Sequence, residues 1–414
     1  MKATIAEIKE VRPIEGRDRI QEALVLGSWV ITTRDYTVGT VGVYFSTEGI
    51  IHESFLKENN LFKDASFNKD QKTSGFFEDN GRVKTLKFGK GRSDGFFAKL
   101  ETLKAYVDIS KLKVGDDVSK IGDFELCTRY IKQDVLKDAK NPTPKQKKFA
   151  LFLEHSDTEN FWYNSKRIPT GAKIYITEKL HGTSGRYARL PLYEKGFFAN
   201  LKRKVQKLLG LDYHKYMVGS RRVVLKNNED GFHGKNDFRF QVLDDLGGFP
   251  KNLIIYGEIV GNVNGRPIMS HSLSELPKEY KNKFGDTVTY NYGAGKGHKF
   301  YVYRITEYDE VKDTYRDYTY AETEGLCKLN GWDMPLKLTE FVYNGDVNWL
   351  EAKVKELTEN EKNLSESYTD PKTILEGVVV RIEVERKTTF LKSKSFVFKL
   401  AEGLETVANV EEIS

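Results

Sequence analysis

The sequence predicts an α+β fold built on antiparallel sheets and preceded by a small β-barrel. Three observations carry that expectation. Short runs rich in Val, Ile, Tyr and Phe recur along the chain, separated by Gly, Asn and Asp turn signals. Helical periodicity is confined to two segments, 197–211, where Leu201, Val205, Leu208 and Leu209 recur on a basic background, and 347–357. Strands and helices do not alternate strictly, as a parallel βα fold would require.

The N-terminal 128 residues carry strand-like runs at 4–11, 21–30, 40–46, 82–88 and 95–100, with one more turn at 113–117 (KVGDD). This is the texture of a closed or partly closed OB-like barrel. Within it, 83–97 (VKTLKFGKGRSDGFF) interleaves Lys84, Lys87, Lys90 and Arg92 with Phe88, Phe96 and Phe97. That mixture suits a nucleic-acid strand, with charges for phosphate and rings for bases; it equally suits a hairpin with core rings and a solvated lysine face. Residues 129–150, polar and basic around Pro142 and Pro144, read as an interdomain linker. Residues 151–414 then form the larger domain, with strands expected near 174–177, 239–243, 253–260, 300–306, 376–383 and 390–400.

Composition bounds the function. The 414 residues are 39% hydrophobic and 12% aromatic, which is folded rather than disordered material. No run approaches the roughly 18 apolar residues of a membrane span, and the N-terminus lacks a signal-peptide core, so a cytoplasmic location is expected. Cys127 and Cys327 are too few for a disulfide framework or a four-cysteine zinc site and read as buried, reduced fillers. The formal charge of +6, with basic clusters at 137–148, 202–207 and 386–394, suits a polyanionic partner.

The segment 174–186, IYITEKLHGTSGR, places Lys179 after a β-branched run and before glycines. Ile174 to Thr177 favour a strand, and Gly182 to Gly185 a tight turn whose N–H groups could face an anion. A lysine there can be a nucleophile toward phosphorus if desolvation or neighbouring cations favour its neutral form; alternatively it is a solvated surface charge. Further along come Ser220 and Arg221 (GSRR), Glu258 (IYGE), Tyr303 (FYVYRI), Glu376 (EGVVVR), and Lys392 with Lys394 (FLKSK). Lys392 and Lys394 alternate on one strand and so share a face. Each residue has a plainer reading as a core ring or solvated strand end, but nucleotidyl transfer needs this whole set: an amine, phosphate-neutralising lysines, a metal-binding carboxylate and a ring for a base.

In order and spacing these motifs resemble those of the covalent lysine nucleotidyltransferases, specifically the ATP-dependent RNA ligases of the RNA ligase 2 type with an N-terminal OB domain. The likeness runs from about residue 158 to 399 and includes 326–346 as the connector between the third and fourth motifs. It implies an antiparallel, ATP-grasp-like ligase domain with Lys179 as the adenylated residue. Glu178, Ser220, Arg221, Glu258, Tyr303, Glu376, Lys392 and Lys394 would join Lys179 in binding ATP, and Glu258 and Glu376 would hold Mg2+ or Mn2+. Lys399 competes with Lys394 for the second phosphate position. His181 stands where DNA ligases and capping enzymes typically carry aspartate, which points to RNA, and Arg186 lies later than their usual arginine. With Lys179, His181 and Arg221 are the catalytic candidates, acting on the RNA ends. Little sequence follows the fifth motif, so the clamp is expected at the N-terminus. The resemblance implies a monomeric ligase that joins 3′-OH to 5′-phosphate ends at nicks in duplex RNA or an RNA–DNA hybrid. The alternatives are a DNA ligase, or an inactive ligase-like nucleic-acid-binding protein.

Overall fold

The computed structural model describes residues 2–88, 91–130, 149–156, 158–191, 201, 205–206, 208–225, 237–274, 276–359, 365–385, 387–402 and 407–409. Residues 131–148 of the basic linker and most of the basic segment 202–207 therefore lie outside the described residues. The chain forms two compact units. One comprises Met1–Thr143, Trp162–Lys166 and Lys399–Ser414; the other comprises Pro144–Phe161 and Arg167–Phe398.

In the first unit, Ala3–Glu7, Val41–Phe45 and Phe96–Lys99 form one antiparallel sheet, and Glu10–Ile14, Arg17–Val25 and Ser28–Thr33 another. The expected single strand 21–30 is a hairpin. Leu26 and Gly27 both have positive φ, 47° and 76°, the backbone of a two-residue turn whose twist matches the flanking strands. Gly27 is also where the Trp162 ring packs, because a Cβ there would lie 2.4 Å from it. The expected strand 4–11 likewise breaks at Ile8 and Lys9.

In the 83–97 stretch several described side chains make internal contacts. Phe96 packs against Phe45, Phe76 and Phe77, and Phe97 is buried. Lys84 pairs with Glu78 at 2.7 Å and Arg92 with Asp94 at 2.8 Å. Lys90 lies outside the described residues. Cys127 and Cys327 are both free and buried.

The second unit holds two large sheets. The first runs Glu159–Asn160, Lys387–Lys394, Gly377–Val384, Lys173–Glu178, Lys337–Val342. The second runs Val224–Leu225, His214–Gly219, Thr183–Pro191, Leu253–Val263, His298–Asp309, Thr314–Asp317, with Arg266–Pro267 beside Leu253–Val263. Every pairing in them is antiparallel except that of Glu159–Asn160 with Lys387–Lys394.

Two expected strands differ. Residues 239–243 belong to the helix Arg239–Leu246, since Phe238, Val242 and Leu246 recur every fourth residue and are all buried. The run 390–400 ends as a strand at Lys394, and the helix Phe396–Ala401 follows. The Ser395 hydroxyl accepts from the Phe398 N–H at 3.1 Å, the pattern of an N-cap. The helix Tyr320–Asn330, not expected, opens on a complete capping box between Thr319 and Glu322 and closes on left-handed Gly331. Among the described residues, no helix is long and apolar enough to cross a membrane.

Candidate active site

Lys179 directly follows the Lys173–Glu178 strand. Its N–H donates to the Gly377 carbonyl at 2.9 Å, which ties it to the start of the neighbouring strand, beside Glu376. Gly377, with φ of 145°, must be glycine, because a Cβ would lie 2.0 Å from the Ser393 carbonyl oxygen. On the far side of the same strand, Lys394 pairs in register with Gly377 and Lys392 with Val379. One sheet thereby gathers the nucleophile candidate, the carboxylate and both lysines.

The geometry within this cluster is close. Lys179 Nζ lies 2.9 Å from Glu376 Oε2, Lys394 Nζ 3.4 Å from Oε1, and His181 Nδ1 3.5 Å from Oε2. Burial would raise the Glu376 carboxyl, but Lys179, the His181 imidazole and Lys394 overcome it and hold the group well below the usual carboxylate range. Burial together with Lys179 and Lys394 lowers the Lys392 ammonium. The sequence expects Glu376 at the same site as a metal ligand, and the structure puts its carboxylate in direct contact with Lys179.

The facing sheet brings Glu258 and Tyr303. The glycine region near Lys179 is shorter than expected, because the strand resumes at Thr183. The anion its backbone faces is the protein's own: the Gly182 N–H donates to Glu258 Oε1 at 3.1 Å. Burial pushes the Glu258 carboxyl up to about 7, with Lys179 opposing and Glu376 reinforcing. Tyr303 occupies a β-bulge: Tyr256 pairs with Arg304 and Gly257 with Val302, leaving Tyr303 between them. A bulge turns one side chain out of the ladder's alternation, and this one turns toward a cavity.

That cavity, of about 260 Å³, lies between the sheets. Glu178, Lys179, Arg221, Glu258, Tyr303 and Lys392 line it, whereas Ser220, His181, Glu376 and Lys394 do not. Ser220 keeps its hydroxyl in its own turn, accepting from the Val223 N–H at 3.4 Å. Glu178 directs its carboxylate to the loop beyond, accepting from Ser367 Oγ at 2.5 Å, the Tyr368 N–H at 3.0 Å and Thr369 Oγ1. Burial raises its carboxyl and these hydroxyls oppose the rise. Lys399 belongs to the other compact unit, where it acts on Glu48, so Lys394 is the lysine beside Glu376. Arg186 is structural: buried, it donates to the Ser220, Phe152 and Leu153 carbonyls.

Sequence reasoning missed several lining residues. His155 meets Tyr303 edge-on at 5.4 Å, and Ser184 acts on both Glu258 and Tyr303. Arg381 and Phe390 also face the cavity. Ser184 and Arg381 stood in segments already singled out, GTSGR and EGVVVR, and alternation from Gly182 and Val379 would have pointed to them. His155 carries no local signal.

Among the described residues, no three His, Cys, Asp or Glu side chains are grouped to hold a metal ion. A hard cation that keeps its waters and takes phosphate oxygens needs only one or two carboxylates. Glu376 Oε2 is buried and, though paired with Lys179, makes no well-aligned hydrogen bond. Glu376 and Glu258 thus fit a phosphate-borne divalent metal rather than a protein-caged one. Lys179, Arg221, Arg304, Arg381 and Lys392 line the cavity against Glu178 and Glu258, and a cleft with that balance attracts phosphates.

Comparison with known proteins agrees with this architecture. The RNA ligase family model matches residues 172–401, and an OB-fold domain model matches residues 2–100. A lysine-to-methionine mutant of Naegleria gruberi RNA ligase, solved with AMP and Mn, superposes with a TM-score of 0.55 at 19% identity, covering 95% of this chain and 96% of that one. The Naegleria gruberi enzyme with PPi gives 0.55 at 19% identity over 96% and 98%. A glutamate-to-alanine mutant of it with ATP and Mn gives 0.56 at 19% over 96% and 98%. At such identity the likeness establishes the fold. No curated protein sequence matches the chain.

Proposed function

The chain belongs to the RNA ligase family, and on that premise we propose that it is an ATP-dependent ligase that seals 3′-OH and 5′-phosphate ends at nicks in duplex RNA or an RNA–DNA hybrid. The observation that carries the reading is Lys179 lining a cation-rich cavity beside Lys392 and in contact with buried Glu376. In the first step Lys179 Nζ attacks the α-phosphorus of ATP; a P–N bond forms, the α–β P–O bond breaks and pyrophosphate leaves. The 5′-phosphate of the RNA then takes AMP from the lysine, and the 3′-OH attacks that phosphate, expelling AMP.

Each residue has a task in this scheme. Lys392 and Lys394 neutralise charge on the transferring phosphate, which matters most at the transition state. Tyr303 and His155 offer ring surfaces to the adenine, and Ser184 fixes Glu258 beside them. Glu178 anchors the loop 367–369 that backs the strand. Arg221, exposed at the cavity edge, is placed for the RNA end. A divalent metal, held by Glu376 and Glu258, would supply positive charge to the phosphate oxygens. The N-terminal unit, with its OB-fold match, is assigned to the RNA clamp.

The test is incubation with α-labelled ATP and magnesium or manganese, followed by denaturation. The expected result is label on the protein that Lys179→Ala abolishes; no adduct, or an adduct undiminished in that variant, rejects the reading. A nick with ribonucleotides on its 3′-OH side should then be sealed faster than an all-DNA nick. Equal sealing of both would favour a DNA ligase.

A further inference from the structure

The loop 264–298 lies between the IYGE motif and the FYVYRI strand, and from sequence it is a candidate addition to the RNA surface. The structure leaves most of this segment exposed but brings part of it against the site. Ser270–Ser272 pairs with Thr287–Thr289, placing His271 opposite Val288, and the chain then continues into buried Tyr290 and Tyr292. Both tyrosines and His271 converge on His181.

His181 is packed on several sides. The His271 ring lies 5.0 Å from it at 31°, Tyr290 meets it edge-on at 4.6 Å, and Phe398 edge-on at 4.8 Å. The His181 N–H donates to the Tyr292 hydroxyl oxygen at 3.0 Å. His271 is itself fixed by a 3.0 Å hydrogen bond between its Nδ1 and the Tyr290 hydroxyl. The segment also braces the other flank of Lys179. Thr373 Oγ1 donates to the Thr289 carbonyl at 3.0 Å, and Lys283 pairs with Glu366, in the loop whose Ser367 and Thr369 hold Glu178.

An imidazole whose Nδ1 faces Glu376 loses that contact if the ring turns over. The residue that lies more nearly face-on to it is His271, from the Ser270–Ser272 strand. Resting on the reading of Lys179 as the adenylated residue, we propose that His271 is a positioning residue for adenylyl transfer. It acts by ring contact: it holds the His181 imidazole against Glu376, and Glu376 in turn places the Lys179 amine. Misplacing a reacting group by about 1 Å costs on the order of 100-fold in rate.

Rapid-quench formation of the labelled adduct over a range of ATP concentrations, with melting temperatures recorded alongside, tests this. His271→Ala should slow the maximal rate by roughly 10- to 100-fold without changing half-saturation by ATP. His271→Phe, which restores a ring, should recover most of the loss. In a His181→Gln background, His271→Ala should add nothing, since two residues acting through one contact are not additive. If the alanine variant melts, His271→Leu fills the same space without a ring and should be as slow. The proposal is overturned by a wild-type rate in His271→Ala, by a phenylalanine variant no faster than alanine, by losses that multiply with His181→Gln, or by a rise in half-saturating ATP alone. If the wild-type protein itself forms no adduct, the fault lies with the assigned reaction and not with His271.

Discussion

Two stretches of this chain mix lysines with phenylalanines in much the same way: 83–97 in the N-terminal unit and 390–398 in the other. Their fates differ. In the first, Lys84 and Arg92 are matched to Glu78 and Asp94, and Phe96 and Phe97 are folded into the barrel's packing. In the second, Lys392 and Phe390 line the cavity, and Lys394 sits over the Phe398 ring at 4.9 Å while sharing Glu376 with Lys179. In the first, each of Lys84 and Arg92 has its own carboxylate. The second places several cations around one buried anion, and that imbalance gives a phosphate something to bind.

If the imbalance is what matters, the buried anion is the most sensitive point. Glu376→Gln keeps the shape but removes the charge among Lys179, Lys394 and His181. Adduct formation should fall by about 100- to 1000-fold, the scale of losing one preorganised electrostatic contact at a phosphate site. Stability should fall as well, by less than the roughly 3–5 kcal/mol of breaking a fully buried pair, because Lys179 and Lys394 are about a fifth exposed. Urea titration reads the second effect separately from the first. A variant with wild-type adduct formation would show that Glu376 only anchors the strand.

Lys392 tests the other side of the comparison. Lys392→Ala should lower adduct formation by about 100-fold, with little change in melting temperature, since the side chain points into a solvated cavity. A large loss of stability with unimpaired labelling would make it a structural lysine.

Glu258 yields a pH prediction. Its carboxyl is raised from about 4.3 in the unfolded chain to about 7 in the fold. The fold therefore favours its protonated form. The associated stability is fully present below the unfolded value and is lost as pH rises through about 7. A neutral glutamine has no such loss. Glu258→Gln should thus gain stability relative to wild type between pH 5 and pH 8, measured as the difference in unfolding free energy at the two ends. A difference that stays flat or runs the other way would mean that Glu258 is not buried in its charged form.

What the sequence made legible follows from range. The strand before Lys179, the alternation of Lys392 with Lys394 and the turn at 113–117 are local patterns, and they stand as expected. The capping box at Thr319 and the recurrence of Phe238, Val242 and Leu246 at every fourth residue are equally local, yet the sequence reading takes 239–243 as a strand and does not expect the helix that opens at Thr319. Contacts across the sheets were not legible. No local pattern says that Gly182 would face Glu258, that a bulge would single out Tyr303, or that the pair of strands at 270–272 and 287–289 would reach His181. Each depends on a register set by partners dozens of residues away.

The smallest expected effect falls on the N-terminal stretch and completes the comparison. Lys84 is about a quarter exposed and its partner Glu78 more than half, and an ion pair so placed contributes only about 0.2–1 kcal/mol, reduced further by salt. Lys84→Ala should therefore shift stability by no more than about 0.5 kcal/mol and leave adduct formation at the wild-type rate. Sealing is the measurement that discriminates. If 83–97 is barrel packing with a neutralised surface, Lys84→Ala should seal nicked RNA with an unchanged dependence on salt. If the pair with Glu78 opens to admit a phosphate, losing that lysine should flatten the salt dependence by about one counterion, and the two stretches would then share a role that their resting structures keep apart.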